Sequence, residues 1–193
     1  MAHMIDTTTG TAAIAYSGLA PWHKLGQQLT AGATIQEWTQ QAGLAYDVLE
    51  SPVLFNTPAT SAPQAWPDRK VLHRSDTGAP LAVVSQGYNV VQPSEVMGFF
   101  SKLVDLGGFT METAGALSYG RRVWALAKVS EGADIVEGDT VRPYVLLGTS
   151  YDGTMATIAK FTSVRVVCNN TITAAVNNGE SQIRVLHSER FDA

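Results

Sequence analysis

Residues 148–171, GTSYDGTMATIAKFTSVRVVCNNT, contain the pattern that decides the fold. Asp152-Gly153 is a strong hairpin dipeptide, and the segments on either side of it predict two antiparallel strands. Near the end of the stretch lies the only cysteine of the chain, Cys168. Asn169 follows and can cap a helix over NNTITAAVNNG, which Gly179 can close. A hairpin followed directly by a helix predicts an antiparallel sheet with a helix against it.

Strand-like segments precede this stretch in close succession. FTMETAGAL (109–117), RRVWALAKV (121–129) and RPYVLLGTS (142–150) follow one another, and LSYGRR marks a turn between the first two. Further upstream, VLHRS and APLAVVS flank a Thr77-Gly78 turn and predict another hairpin. Consecutive hairpins flanked by helices predict an α+β domain with a mostly antiparallel sheet.

Two further segments predict helices. In ATIQEWTQQAGL (33–44), Thr34 can cap the first turn and Glu37 completes a capping box. In QPSEVMGFFSKLVDLGG (92–108), Pro93 suits the first turn, and apolar residues recur at helical spacing. We expect the apolar stripe of this second helix to lie on the sheet.

The length of 193 residues suits one domain. We interpret residues 1–193 as a single α+β domain with an N-terminal arm over about residues 1–30. The stretch NTPATSAPQAWPDRK (56–70) has three prolines and small polar residues, so it predicts a surface loop within that domain. The alternative is a boundary that separates residues 1–55.

Composition restricts the class of protein. The apolar runs are too short to cross a membrane, and the N-terminus has no secretion signal. A single cysteine forms no intrachain disulfide, which agrees with a cytoplasmic protein. The net charge of −4 argues against nucleic-acid binding through overall charge. However, residues 119–193 hold eight basic and eight acidic residues, so the acidic excess lies upstream and a local basic stripe is compatible with the sequence.

The candidates for catalysis or metal binding are few. Cys168 as a nucleophile needs a base, and the four histidines, His3, His23, His73 and His187, all lie far from it in sequence. The alternative is a buried, inert thiol at the end of an apolar strand. No ligand spacing suits zinc or calcium, and no phosphate-loop pattern is present. The sequence therefore predicts neither a metal nor a cofactor.

One strand carries a basic and aromatic face. In RRVWALAKV a period of two residues places Arg122, Trp124, Leu126 and Lys128 on the same side of the strand. Cations beside an aromatic ring suit a single nucleic-acid strand, because the cations meet phosphates while the ring stacks on a base. The alternative is that Trp124 packs under a helix while Arg122 and Lys128 extend to water.

The ordered segments MAHMID, PWHKLG, RKVLHRSDTGAPLAVVSQGYNVVQPSEV, GRRVWALAKV and VVCNNT…RVLHSERFDA resemble the phage- and plasmid-like proteins of the family called domain of unknown function 932. The resemblance covers nearly the whole chain. It implies a setting in bacteria, phages or plasmids, and no defined activity. The order of helix, hairpins and helix is also similar, at the level of the fold, to Rad52-type single-strand annealing proteins.

The leading hypothesis is therefore a non-enzymatic protein of a mobile element that binds single-stranded DNA on a sheet face and forms a homo-oligomer. The predicted nucleic-acid contacts are Arg121, Arg122, Trp124, Lys128, Lys160, Phe161 and Arg165, with Tyr119 and Tyr151 as further stacking residues. The predicted subunit contacts are Trp22, His23 and Lys24 in PWHKLG. A protein-binding module, such as an anti-defence factor, is the alternative, and an enzyme that uses Cys168 is the third possibility.

Overall fold

A seven-stranded sheet forms the centre of the fold, and a smaller sheet and the helices pack on it. The structure is a computed structural model that describes residues 3–30, 32–59, 62–129, 133–136, 139–141, 143–177 and 182–188. Its helices are α1 (Ile35–Gln41), α2 (Pro93–Leu106) and α3 (Asn169–Asn177). Its strands are β1 (Ile14–Ser17), β2 (Gln27–Leu29), β3 (Val48–Phe55), β4 (Gln64–Arg74), β5 (Pro80–Ser85), β6 (Phe109–Leu117), β7 (Arg122–Val129), β8 (Ala133–Val136), β9 (Asp139–Val141), β10 (Tyr144–Ser150), β11 (Thr157–Thr162) and β12 (Gln182–Val185).

The strand order of the main sheet is β12-β11-β10-β7-β6-β1-β2. Every neighbouring pair in it is antiparallel except β1 with β2. The small sheet has the antiparallel order β3-β4-β5, and β8 pairs with β9. The predicted α+β class with a mostly antiparallel sheet is confirmed. None of the helices in the described part of the chain is long and apolar enough to cross a membrane.

The starts of α1 and α2 follow the predicted chemistry. Thr34 accepts a hydrogen bond from the backbone of Glu37, whose carboxylate accepts one from the backbone of Thr34 in return. Such a capping box satisfies donors that the first turn leaves unpaired. Pro93 occupies the first turn of α2, and Phe100 of that helix is fully buried. The apolar stripe of α2 lies on the sheet, as predicted.

Both faces of the main sheet are buried. On the first face, which we call the α2 face, Ala125 and Leu147 join a core that includes Phe100 of α2. On the second, the α3 face, Trp124 joins a separate core with Ile172 of α3. Neighbouring residues of a strand point to opposite faces, so β7 contributes to both cores.

Two predicted boundaries differ from the structure. The strand predicted after Asp152-Gly153 ends at Thr162, because the chain then leaves the sheet and buries Val166 and Val167 against the α3 face. The predicted surface loop over 56–70 is shorter, because β4 begins at Gln64 and pairs with β3. The predicted helix end at Gly179 lies outside the described residues. The first 30 residues supply β1 and β2 to the main sheet, and β1 pairs with β6.

A buried arginine joins the two sheets. Arg74, at the end of β4, is 1% exposed; its Nη1 donates to Asp6 Oδ2 at 2.6 Å, and its Nη2 donates to Asp76 Oδ2 at 2.7 Å. The guanidinium carbon lies 3.9 Å from the ring centre of Tyr46, whose hydroxyl donates to the carbonyl of Gly120. A Cβ atom at Gly120 would come within 2.8 Å of Arg74 Nη1. The ion pair therefore holds the β6–β7 turn against the small sheet.

Removing the buried carboxylate should destabilise the protein more than removing an exposed one. Asp6→Asn should lower the free energy of unfolding by about 3 kcal/mol, because it leaves a buried charge without one of its partners. Glu50→Gln is the matched control: Glu50 accepts from Lys70 at 2.7 Å, but its side chain is 47% exposed. We expect that control to cost about 1 kcal/mol or less. Urea unfolding measures the free energy of unfolding of both variants. An equal decrease in the two variants would contradict a special role for the buried Arg74–Asp6 ion pair.

The Arg74–Asp76 contact should make the free energy of unfolding depend on pH in the acidic range. The hydrogen bond from Arg74 holds the pKa of Asp76 below its ordinary value of 3.8. A lowered carboxyl pKa stabilises the fold above the pKa of the unfolded chain, and that stabilisation is lost as pH falls through the folded pKa. Wild type should thus be more stable than Asp76→Asn near neutral pH, and the difference should shrink below about pH 4. A difference that stays constant down to about pH 3 would contradict this assignment.

Candidate functional site

Trp124 lies in the core, so the predicted exposed stripe on β7 is wrong at its centre. The indole is fully buried, and its Nε1 donates to Thr113 Oγ1 at 3.2 Å. It lies over Gly115, where a Cβ atom would come within 2.5 Å of the ring. The alternation along β7 is as predicted, but the α3 face is covered, which the alternation does not reveal. Tyr151 is also fully buried and offers no face to a base.

Two of the predicted cations are engaged in the fold. Lys160 is 4% exposed, and its Nζ donates to the carbonyl of Val176 near the end of α3. A cation near a helix C-terminus is favourable. Arg165 donates to Glu112 and to the carbonyl of Ser17. Both side chains therefore stabilise the packing on the α3 face instead of lying open to a phosphate.

Two other predicted residues lie away from the start of β7. Lys128 is half-buried at the opposite end of β7 from Arg122. Phe161 is 65% exposed, but it lies opposite Val145 on the α2 face. The seven predicted nucleic-acid contacts therefore do not form one surface.

Three parts of the chain meet at the end of the main sheet where β7 begins. The backbone of Tyr151 donates to the carbonyl of Arg121, which joins the β10–β11 connection to the β6–β7 turn. The guanidinium of Arg122 donates to Thr154 Oγ1 at 2.9 Å and to Asn169 Oδ1 at 2.9 Å. Arg122 thereby ties that connection to the first residue of α3.

The N-terminal residues complete this end. The carbonyl of His3 accepts from the backbone of Asn169, the residue that opens α3. The rings of His3 and His23 are 5.5 Å apart between centres, and the ring of Trp22 meets that of His23 edge-on at 5.3 Å. Tyr119 and His3 line one cavity of about 220 Å³. We call this surface the aromatic-basic end; its residues are His3, Trp22, His23, Tyr119, Arg121 and Arg122.

Several side chains of the aromatic-basic end are accessible. Trp22 is 63% exposed and Tyr119 is 68% exposed. Arg121 is also exposed, as is the neighbouring Lys24. Burial, and then the adjacent His23, lower the pKa of His3, which favours its neutral form. Arg121 and Arg122 carry positive charge at this end, and Lys24 follows His23 in the chain.

Backbone strain is concentrated around this end. Among the described residues, the non-glycine residues with positive φ are Met4, Lys24, Ser118 and Tyr119, at 53° to 65°. Met4, Ser118 and Tyr119 line the cavity beside His3. Such conformations cost roughly 1–3 kcal/mol each and occur most often at functional sites, where the surroundings hold them in place.

Cys168, the candidate nucleophile, and His23, which bonds to the residue before it, do not form a catalytic pair. Cys168 is 2% exposed, and its Sγ lies 3.5 Å from Thr171 Oγ1. His23 Nε2 donates to the carbonyl of Val167, and its Nδ1 accepts from the backbone of Leu25. Both ring nitrogens are thus engaged by the backbone, so His23 is not free to act as a base for the thiol. Within the described ranges, no group of three or more His, Cys, Asp and Glu residues is placed to hold a metal ion.

Sequence reasoning does not reveal that PWHKLG and VVCNNT are neighbours. His23 bonds to a carbonyl 144 residues further along the chain. No periodicity or spacing signals a contact of that range, so the sequence predicts separate roles for the two segments. Arg121, Arg122 and Tyr119 are the predicted nucleic-acid residues that the fold brings together with the predicted subunit contacts Trp22, His23 and Lys24.

The larger part of the chain matches a protein family. A family model with the description "Domain of unknown function (DUF932)" matches residues 80–193. The matched region includes Tyr119, Arg121 and Arg122 of the aromatic-basic end, whereas His3 and Trp22 lie outside it. No curated protein and no solved structure matches the chain.

The thiol of Cys168 should resist alkylation until the protein unfolds. Iodoacetamide should add no group to the native protein, because the sulfur is buried, and one group in concentrated urea. Ser163→Cys is the control, since Ser163 is exposed and close in sequence; this variant should gain one group without denaturant. Intact-protein mass spectrometry counts the additions. Native alkylation of Cys168 as fast as that of the control would contradict a structural role.

Proposed function

The chain belongs to the DUF932 family, whose description assigns no activity, and we propose that it binds single-stranded DNA at the aromatic-basic end. The observation that carries the proposal is the meeting of exposed aromatic rings and arginines at one end of the sheet. The proposal replaces the stripe along β7 with a surface built from loop residues and from Arg122, the first residue of β7. Loops on a rigid scaffold are a common place for binding residues.

The phosphate contacts are proposed from the charges of this end. Arg121 is exposed, and Arg122 is half-buried and held by Thr154 and Asn169. A guanidinium fixed in this way loses little freedom on binding a phosphate. The first turn of α3 opens beside Arg122, and helix N-termini favour anions.

The base contacts are proposed from the exposed rings. Trp22 and Tyr119 each present a large aromatic face to solvent. Stacking of a base on an aromatic side chain contributes about 1–3 kcal/mol and tolerates any base. We therefore propose binding without strong sequence preference.

The net charge of the chain supports a local and salt-sensitive mode of binding. The formal charge of −4 repels a polyanion over most of the surface. The proposed attraction comes from Lys24, Arg121 and Arg122, and few neutralised phosphates give weak binding by one copy. Repetition of the site in a homo-oligomer would raise the affinity for a long strand.

The setting is proposed from the family resemblance. We propose a cytoplasmic, non-enzymatic protein of a bacterial phage or plasmid that promotes strand annealing and thus recombination as an oligomer. The ground for proposing annealing is a resemblance, at the level of the sequence-predicted order of helix, hairpins and helix, to Rad52-type annealing proteins. No cofactor enters the proposal.

Fluorescence anisotropy with a labelled oligothymidine tests the binding site. Wild type should bind at low salt, with affinity falling as salt rises. Trp22→Ala should weaken binding by about five-fold to a hundred-fold, because it removes a stacking ring, and Trp22→Phe should restore most of the affinity. Arg121→Glu should weaken binding and flatten the dependence of log K on log salt by about 0.7 for each phosphate that the variant no longer neutralises.

The matched control is a charge reversal on α2, a helix that contributes no residue to the aromatic-basic end. Lys102→Glu changes an exposed cation on α2 by the same charge as Arg121→Glu. It should leave binding almost unchanged. Absence of binding by wild type at low salt would overturn the proposal, as would equally weakened binding in both charge variants. A pull-down from host lysate in which this chain captures one protein stoichiometrically, also after nuclease treatment, would favour the protein-binding alternative.

A further inference from the structure

His187 lies just after β12, and each of its ring nitrogens faces a backbone carbonyl. Nδ1 lies 3.1 Å from the carbonyl oxygen of Asn89, and Nε2 lies 3.1 Å from that of Met155. Asn89 precedes α2, and Met155 lies in the β10–β11 connection. The side chain of His187 therefore joins the end of β12 to two other parts of the chain.

The two carbonyls determine how many protons the ring of His187 needs. A carbonyl oxygen accepts hydrogen bonds and never donates one, so each ring nitrogen has to be a donor. A neutral imidazole has one N–H group, whereas an imidazolium has two. In the neutral form, the lone pair of one nitrogen would face a carbonyl oxygen at 3.1 Å with no hydrogen between them. The geometry around His187 is therefore that of the charged ring.

The face of the ring is also occupied in a way that suits a cation. The ring of His187 stacks on that of Tyr88, with 4.3 Å between the centres and 16° between the planes. The face of a tyrosine ring attracts positive charge. The hydroxyl of Tyr88 donates to the carbonyl of Ser150 at 2.7 Å, which fixes the tyrosine ring. The backbone of Asn89 donates to the carbonyl of His187 at 2.6 Å, so the backbone beside the imidazole is held as well.

The charged and titratable groups among the described neighbours do not compete with His187 for a proton near neutral pH. Burial, and then the charge of Asp152, raise the pKa of Tyr88, so its hydroxyl stays neutral. The carboxylate of Asp152 is a negative charge on this side of the protein, which favours a cation. Arg184, on β12 itself, is exposed, so solvent screens its charge. Of these groups, only His187 titrates between about pH 5 and 8.

β12 is the strand that these contacts hold. It is an edge strand of the main sheet within the described residues, and it pairs with β11. Its residues Gln182, Ile183 and Arg184 are exposed, so little burial attaches the strand to the protein. A strand with few buried apolar contacts opens locally at a low free-energy cost. The bonds of His187 are therefore a large part of what keeps β12 in place.

We propose that His187 is a proton-dependent clamp that fixes β12 on the edge of the main sheet. With two ring protons, the clamp makes both carbonyl bonds; loss of one proton breaks one of them and lets β12 separate from β11. Bonds that only the charged form makes are fully present in mild acid and are lost as pH rises. Separation leaves β11 with unpaired backbone groups, which another strand can bind. The clamp does not depend on DNA binding.

Hydrogen exchange with mass spectrometry tests the clamp on β12. In wild type, the protection of residues 182–188, corrected for the intrinsic exchange rate, should fall about ten-fold between about pH 6 and 8, because one bond to a charged group is lost. His187→Gln should have low protection that does not change with pH, since a glutamine amide does not titrate. His73→Gln is the matched control, because His73 bonds to Ser51 of the small sheet, and it should behave as wild type. An equal pH dependence in wild type and His187→Gln would overturn the proposal.

Nitrogen NMR of the histidine rings counts the protons directly and needs no variant. At about pH 6, within the range where histidine titrates, both ring nitrogens of His187 should be protonated. His23 is an internal reference: only its Nε2 should be protonated, because its Nδ1 accepts from the backbone of Leu25. A single protonated nitrogen on His187 at this pH would overturn the proposal. Neither experiment contains an oligonucleotide, so the clamp and the proposed DNA binding fail separately.

Discussion

The ion pair between Arg74 and Asp6 is the constraint on which the arrangement of the two sheets depends. A guanidinium this deeply buried requires partners, because an unpaired charge in the interior is costly. Its partners come from the N-terminal segment and from the β4–β5 turn, and it also covers the ring of Tyr46. Gly120 contacts the same cluster, so the turn that carries Tyr119 and Arg121 rests on it. The position of the aromatic-basic end therefore depends on buried contacts of Arg74 and Tyr46.

The sequence predicts the elements well where local chemistry decides them. Thr34 with Glu37, and Pro93, mark the starts of α1 and α2, since capping and the fixed φ of proline act within one turn. The alternation of β7 is also correct. The alternation does not show which face of the sheet another part of the chain covers. Trp124 is buried because residues 166–175 return to the α3 face. The prediction of a loop over 64–70 is wrong because proline and small residues also occur in exposed strands.

The site depends on long-range contacts that local patterns do not encode. The segments that carry the rings and the arginines are distant in sequence. Backbone hydrogen bonds hold these segments together, such as the bond between His3 and Asn169. Each of these segments alone is typical of a loop or a cap. Side chains predicted to act together, such as Arg122 and Lys128, lie at opposite ends of one strand. Two residues on the same face of a strand can therefore still lie too far apart along it to form one site.

The position of β1 inside the main sheet has a kinetic consequence. Ile14 pairs with Gly115, so β1, which also pairs with β2, lacks its antiparallel neighbour β6 until some hundred further residues exist. At ribosomal speeds of about 5–20 residues per second, the segment waits roughly 5–20 s for that neighbour. Contacts of such separation slow folding, because a long loop must close before they form. During synthesis the chain therefore carries an apolar strand whose β6 edge is still open to solvent.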